Sequence, residues 1–246
     1  MTTPKRIRIG ILVPSSNTAL EPLTTAILSS LPSTFHVTTH FSRFPVTSIA
    51  LSNTALSQFT PQKILDAAQL LAHAKVDVIG WSGTSSGWLG FSSDEELCRL
   101  IEKETGIRAT TSVLALNKAL NKLGVKKIGL VTPYLDNVQE AIVRNYARIG
   151  IDARAERHLC LSDNVKFADL GSEIFDPMVE GVVKEGVQAV STFCTNISVA
   201  QHVERWEQAF GIPVLDTVVT VVWDALRMCG VDTKQIKGWG GIMDIK

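Results

Sequence analysis

A chain of 246 residues, 45% of them apolar, is long enough to bury a large core and to fold as one or two compact domains. Its 24 basic residues balance 24 acidic ones, which leaves no long-range field to draw nucleic acid or an anionic membrane surface to it. Cys98, Cys160, Cys194 and Cys229 are scattered without Cys-x-x-Cys spacing and the histidines show no metal spacing, so neither a zinc site nor a disulfide framework is indicated. A reducing cytoplasm is the simplest home.

From Met1 to Arg8 the chain runs directly into a strand pattern, without the apolar stretch and small-residue cleavage site of a secretory leader. No apolar run reaches the length of a membrane span. Residues 7–13 read as the first strand, 61–74 as a helix and 76–80 as the next strand. Helical spacing returns at 94–104 and 112–123, followed by a strand at 127–131 and a helix at 138–149. Residues 176–185 and 198–210 read as helices around strands at 189–193 and 213–215. Strands alternating with helices predict parallel sheets covered by helices.

The sequence also repeats itself. Val76-Asp77-Val78-Ile79-Gly80-Trp81-Ser82-Gly83-Thr84 aligns with Val187-Gln188-Ala189-Val190-Ser191-Thr192-Phe193-Cys194-Thr195, Gly10-Ile11-Leu12-Val13-Pro14 with Gly129-Leu130-Val131-Thr132-Pro133, and Gly106-Ile107 with Gly211-Ile212. The fold expected is α/β, with two similar lobes, each a parallel sheet flanked by helices, related by pseudo-two-fold symmetry. Residues 1–112 and 215–246 are assigned to the first lobe and 113–214 to the second, with a site in the cleft between them. No low-complexity linker separates the halves, so the chain is expected to cross between them within helices.

In such sheets ligands bind beyond the carboxyl ends of the strands. Four loops follow strands at equivalent places: Pro14-Ser15-Ser16-Asn17, Gly83-Thr84-Ser85-Ser86-Gly87, Pro133-Tyr134-Leu135-Asp136 and Cys194-Thr195-Asn196. The glycine-rich loop offers hydroxyls and N–H groups suited to a carboxylate, or is a helix cap and turn; it lacks the pattern of a nucleotide loop. Cys194, at an expected helix start, is either an accessible sulfur of tunable ionisation or one more buried thiol. Tyr134 can donate to a ligand oxygen or simply pack. Asn17 and Asn164 can hold a carboxylate through their amide nitrogens or cap helices. Trp81 and Trp88 form an apolar wall beside the site or belong to the core. Cys98 and Cys229, in apolar helical stretches, read as core, Cys160 has no evident partner, and no Ser-His-Asp set can be assembled, which disfavours Ser15 and Ser86 as nucleophiles.

At these loops the sequence resembles the aspartate/glutamate racemase superfamily, in the branch of maleate cis-trans isomerases and arylmalonate decarboxylases. Gly10 to Thr18 resembles the isomerase opening, Thr132-Pro133-Tyr134 followed by Val138 resembles both groups, Asp163-Asn164 resembles an isomerase substrate loop, and Ser82-Gly83-Thr84-Ser85 is similar to the decarboxylase loop. The resemblance implies two α/β halves, no cofactor and a cysteine on each side of the reacting carbon. Cys194 matches the second cysteine, whereas Gly83 stands where isomerases and racemases have the first. It therefore implies decarboxylation of a malonate-type diacid, with Cys194 as proton donor and Pro14, Ser15, Asn17, Gly83, Thr84, Ser85, Tyr134, Asn164 and Thr195 around a small carboxylic acid. Thr84, Ser85, Tyr134 and N–H groups near Cys194 and Thr195 would stabilise an enediolate, each donor contributing on the order of 3 kcal/mol. Asn17 and Asn164 point instead to a compact dicarboxylate, as in maleate isomerases. An isomerase or racemase-like enzyme is thus the first alternative and a non-catalytic small-acid binding protein the second, with a homo-oligomer compatible with each.

Overall fold

The computed structural model describes residues 6–246; the opening five residues, part of the stretch read above as lacking a leader, lie outside the described residues. Among the described residues, eight strands form two sheets. The first half contains β1 (Arg6–Pro14), α1 (Leu20–Ser29), β2 (His36–Phe44), α2 (Asn53–Leu56), α3 (Pro61–His73), β3 (Val78–Trp81), α4 (Ser86–Leu89), α5 (Ser92–Thr105) and β4 (Ala109–Thr111). Helix α6 (Ser112–Leu123) then carries the chain to β5 (Lys127–Thr132), α7 (Asp136–Arg148), β6 (Asp152–His158), α8 (Asn164–Phe167), α9 (Ser172–Val183), β7 (Ala189–Thr192), α10 (Val203–Phe210), β8 (Val214–Asp216) and α11 (Thr217–Met228).

All strand pairs are parallel, and the orders β2-β1-β3-β4 and β6-β5-β7-β8 are the same order written twice. This is the expected two-lobed α/β fold. The central strands β3 and β7 are buried at every position, β3 as a short apolar run and β7 as two apolar residues followed by buried Ser191 and Thr192. The repeated glycines have a common cause. A Cβ on Gly10 would lie 3.0 Å from Val76 Cγ2, and one on Gly129 would lie 2.7 Å from Val182 Cγ2. Each glycine lets chain following its sheet's first strand pack directly on that strand.

Strands β2, β4 and β6 and helices α1, α2 and α8 are not among the elements expected from the sequence. Strands β2 and β6 are sheet edges, only partly buried and rich in polar residues, so neither presents an apolar run. Helix α6 joins the two sheets, as expected of a crossing made within helices. Helix α11 leaves the second sheet and packs on β3, β4 and α1 of the first. Among the described residues, no helix is long and apolar enough to cross a membrane.

Candidate active site

The loops after β1, β3, β5 and β7 converge. Pro14, Asn17, Gly83, Thr84, Ser85, Tyr134, Asn164, Cys194 and Thr195 line one cavity, joined by Val46, Ile49, Phe59, Trp81 and Trp88. Nine of the ten residues singled out in the sequence are thereby brought together. Ser15 is not. It is exposed, its Oγ donates to Val46 O at 3.2 Å and accepts from Val46 N at 3.1 Å, and it lies outside the cavity lining.

A buried polar network ties the lobes at this point. Asn17 Oδ1 accepts from Ala19 N at 3.0 Å and Leu20 N at 2.9 Å, which caps α1. Its Nδ2 donates to Thr195 O at 3.1 Å and Thr195 Oγ1 at 3.3 Å. The capping alternative for Asn17 is therefore realised, and its amide nitrogen spans the lobes. Asn164 donates through Nδ2 to Ser16 Oγ at 2.8 Å. Asn196, which the sequence reading passed over, accepts from Thr18 N at 2.9 Å and Ala19 N at 3.2 Å and donates to Asn164 O. Nothing in the sequence separates this asparagine from other loop asparagines; only its three partners, far apart in the chain, reveal it. No helix begins at Cys194: turns follow it and α10 starts at Val203.

Cys194 is 2% exposed yet faces the cavity beside Thr84 and Ser85. Desolvation pushes its thiol up to about 12, against which Tyr134 and the Asn196 N–H, 3.4 Å from Sγ, act in the opposite sense. Tyr134 OH lies 2.6 Å from Thr84 Oγ1, and burial, with the nearby Cys194, holds this phenol well above its ordinary range. Both groups carry their protons at neutral pH. The phenol thus stands between a hydroxyl of one lobe and the sulfur of the other.

At Gly83 the cavity wall is closed. A Cβ built on Gly83 would lie 2.1 Å from Trp81 Cζ2 and 2.4 Å from Cε2, so the Trp81 indole fills the space where a side chain at position 83 would begin. Trp81 is 1% exposed and packs against Phe44 with ring centroids 5.0 Å apart. Trp88 meets Phe59 and Tyr134 edge to face. The two readings of these tryptophans coincide: both are buried in the core and both wall the cavity. Among the described residues, Trp81 Nε1 and Trp88 Nε1 are buried without a hydrogen-bond partner.

The cavity encloses about 20 Å³, room for a water molecule and not for a diacid. The segment between β2 and α3 closes it, bringing Val46, Ile49 and Phe59, which had no distinguishing sequence signal. Ile49 N donates to Ser162 O at 3.0 Å, Asn164 N to Thr47 O at 3.4 Å, and Ser48 bridges Asp163 across the lobes. These few bonds hold the segment against the second lobe. Cys98 and Cys229, read above as core, are half-buried against it.

The sequence profile of the arylmalonate decarboxylase family matches residues 10–242. The chain belongs to that family. It is 25% identical over 237 residues to the maleate isomerase of Alcaligenes faecalis, covering 94% of each chain. To the arylmalonate decarboxylase of Bordetella bronchiseptica it is 24% identical over 219 residues, covering 82% of this chain and 88% of the relative. The fold matches the maleate isomerase of Pseudomonas putida S16 with maleate at a TM-score of 0.88, with 24% identity and 98% of both chains covered. A liganded arylmalonate decarboxylase variant matches at 0.83, with 19% identity, 98% of this chain and 100% of that one. The family thus spans decarboxylases and isomerases, within the racemase-like superfamily that the loop motifs resemble.

Proposed function

We propose that this family member is a cofactor-independent decarboxylase of a malonate-type dicarboxylic acid, with Cys194 delivering the proton. The observation that carries this reading is the indole of Trp81 packed over Gly83, which leaves one thiol, on one side, among the residues lining the cavity. The bond from the α-carbon to one carboxylate breaks, its electron pair enters the retained carboxylate as an enediolate, and carbon dioxide departs. Cys194 then gives its S–H proton to the α-carbon. A thiol pushed up to about 12 is fully protonated beforehand, and its thiolate recovers a proton readily from water once the site opens.

The retained carboxylate fits the hydroxyls of Thr84, Ser85 and Tyr134, buried donors poised for developing negative charge. The unpartnered indole N–H groups of Trp81 and Trp88 gain an acceptor when a ligand oxygen arrives. Val46, Ile49, Phe59 and Trp88 supply the apolar surface against which a carboxylate loses hydration as it becomes neutral carbon dioxide. Delivery of the proton from one side makes a chiral product.

Asn17 and Asn164 at the cavity, with several relatives named maleate isomerase, favour a second reading: isomerisation of a small dicarboxylate. The two are separated by incubating the protein with substituted malonates and with maleate in deuterated water and following products by NMR. Loss of a carboxyl group with deuterium on one face supports decarboxylation. Conversion of maleate to fumarate without gas release overturns it, and binding without turnover of either class assigns the chain to small-acid binding.

A further inference from the structure

We propose that Asp136, His158 and Cys160, outside the cavity and independent of the reaction proposed for it, form a binding site for a transition-metal ion of the zinc class. Asp136 opens α7, His158 ends β6 and Cys160 follows two residues later; one donor atom from each lies within 4.8 Å of the others. Asp136 Oδ1 is 2.7 Å from His158 Nε2 and accepts from the Cys160 thiol at 3.1 Å. The other ring nitrogen, Nδ1, is 2.7 Å from Glu156 Oε2. An imidazole whose outer nitrogen rests on a carboxylate while its inner nitrogen meets oxygen and sulfur donors is the arrangement by which proteins orient a metal-bound histidine.

The backbone supports the cluster. Cys160 adopts φ 57°, uncommon for a residue with a side chain. It is held there by its own N–H on Tyr134 O at 3.1 Å and by Leu161 N on Pro133 O at 2.8 Å. An ion at this site would therefore tie the loop that carries Tyr134 to the loop that follows β6.

One nitrogen, one oxygen and one sulfur donor suit Zn²⁺ and disfavour Mg²⁺ or Ca²⁺, which take oxygen ligands. Tetrahedral zinc bonds separate such donors by about 3.3–3.7 Å. The present contacts need to open by about half an ångström, which the exposed side chains of Asp136 and Cys160 permit. Three protein ligands leave the fourth position to water. On binding, the ion replaces the thiol proton, and any proton on Nε2, both released to solvent.

The test is titration of the reduced, metal-free full chain with Zn²⁺ against a chromophoric chelator, with Co²⁺ as the spectroscopic probe. One ion per chain is expected, with proton release and a sulfur-to-cobalt charge-transfer band. Cys160→Ser should abolish the band, Cys160→Ser and His158→Ala should each weaken binding by at least about tenfold, and Glu156→Gln by about 10–100-fold, in variants whose far-ultraviolet circular dichroism is unchanged. Failure to bind one equivalent, a cobalt complex without the thiolate band, or affinity unaltered by Cys160→Ser would each overturn the site.

Discussion

The ends of β3 and β7 occupy the same place in two copies of one sheet, yet they meet the cavity differently. At the end of β7, Thr192 Oγ1 donates to Asp216 Oδ2 at 2.6 Å and Cys194 is left facing the cavity. At the end of β3 the residue aligned with Thr192 is Trp81, and its indole covers Gly83, the residue aligned with Cys194. Where the second copy carries Cys194 the first carries Gly83, and a bulky neighbour occupies the volume that a side chain there would need. A repeated backbone positions loops in pairs; the side chain two residues earlier decides whether a loop presents a reactive group.

Cys194→Ala breaks the comparison from the reactive side. Removing a positioned general acid is worth about 10²–10⁴-fold in rate, so turnover of any accepted malonate should fall by that much while ligand binding stays near that of the parent. Steady-state kinetics with a calorimetric affinity measurement checks both. A variant with full activity would remove Cys194 from the proposed chemistry.

The next effect concerns two buried carboxyls, Asp94 beside the end of β4 in the first sheet and Asp216 at the end of β8 in the second. Desolvation raises Asp94 from 3.8 to about 6, opposed by the hydroxyls of Thr111 and Ser86, and it raises Asp216 equally, opposed by Thr192 and the first N–H groups of α11. Both folded-state values lie above the unfolded one, so the contribution of each group is fully present below pH 3.8 and is lost as pH rises through about 6. A shift of about two units corresponds to about 3 kcal/mol for each. Chemical denaturation of the parent and of Asp94→Asn at pH 4 and 7 should show the variant losing less stability over that interval, by up to about 3 kcal/mol. Equal losses would mean that Asp94 titrates normally.

Gly83→Cys tests the closed side. The new side chain must displace a buried indole ring at 2.1 Å, so overpacking should cost about 1–3 kcal/mol in urea denaturation. Combining it with Trp81→Leu should recover part of that loss relative to the sum of the single changes, a coupling expected of residues in contact. Gly83→Cys as stable as the parent would show that Trp81 yields easily and that the asymmetry is shallow.

The site was legible wherever repetition and strand ends coincide. Gly83, Tyr134 and Cys194 follow strands at equivalent places, and parallel sheets put ligands there. Partners set by tertiary closure were not legible. Val46, Ile49 and Phe59 lie in an irregular segment whose position depends on bonds to residues 162–164, more than a hundred positions away. Edge strands β2 and β6 escaped for a related reason: partial exposure removes the apolar periodicity that marks a strand. His158 and Cys160 carry no spacing signal of their own, because Asp136 reaches them only through the pairing of β5 with β6.

Ser15→Ala gives the smallest effect and separates two serines that loop position alone made equivalent. Loop position and the isomerase-like opening made Ser15 a candidate, but its hydroxyl is committed to the backbone of Val46, whereas Ser85, 5% exposed, lines the cavity. Loss of an exposed hydroxyl that pairs with backbone should cost about 1 kcal/mol or less. It should also loosen one anchor of the closing segment, so any kinetic change should appear in KM, with kcat within about twofold of the parent. A tenfold fall in kcat with KM unchanged would mean that Ser15 turns to the substrate when the segment opens, and the two serines would then be partners in one role.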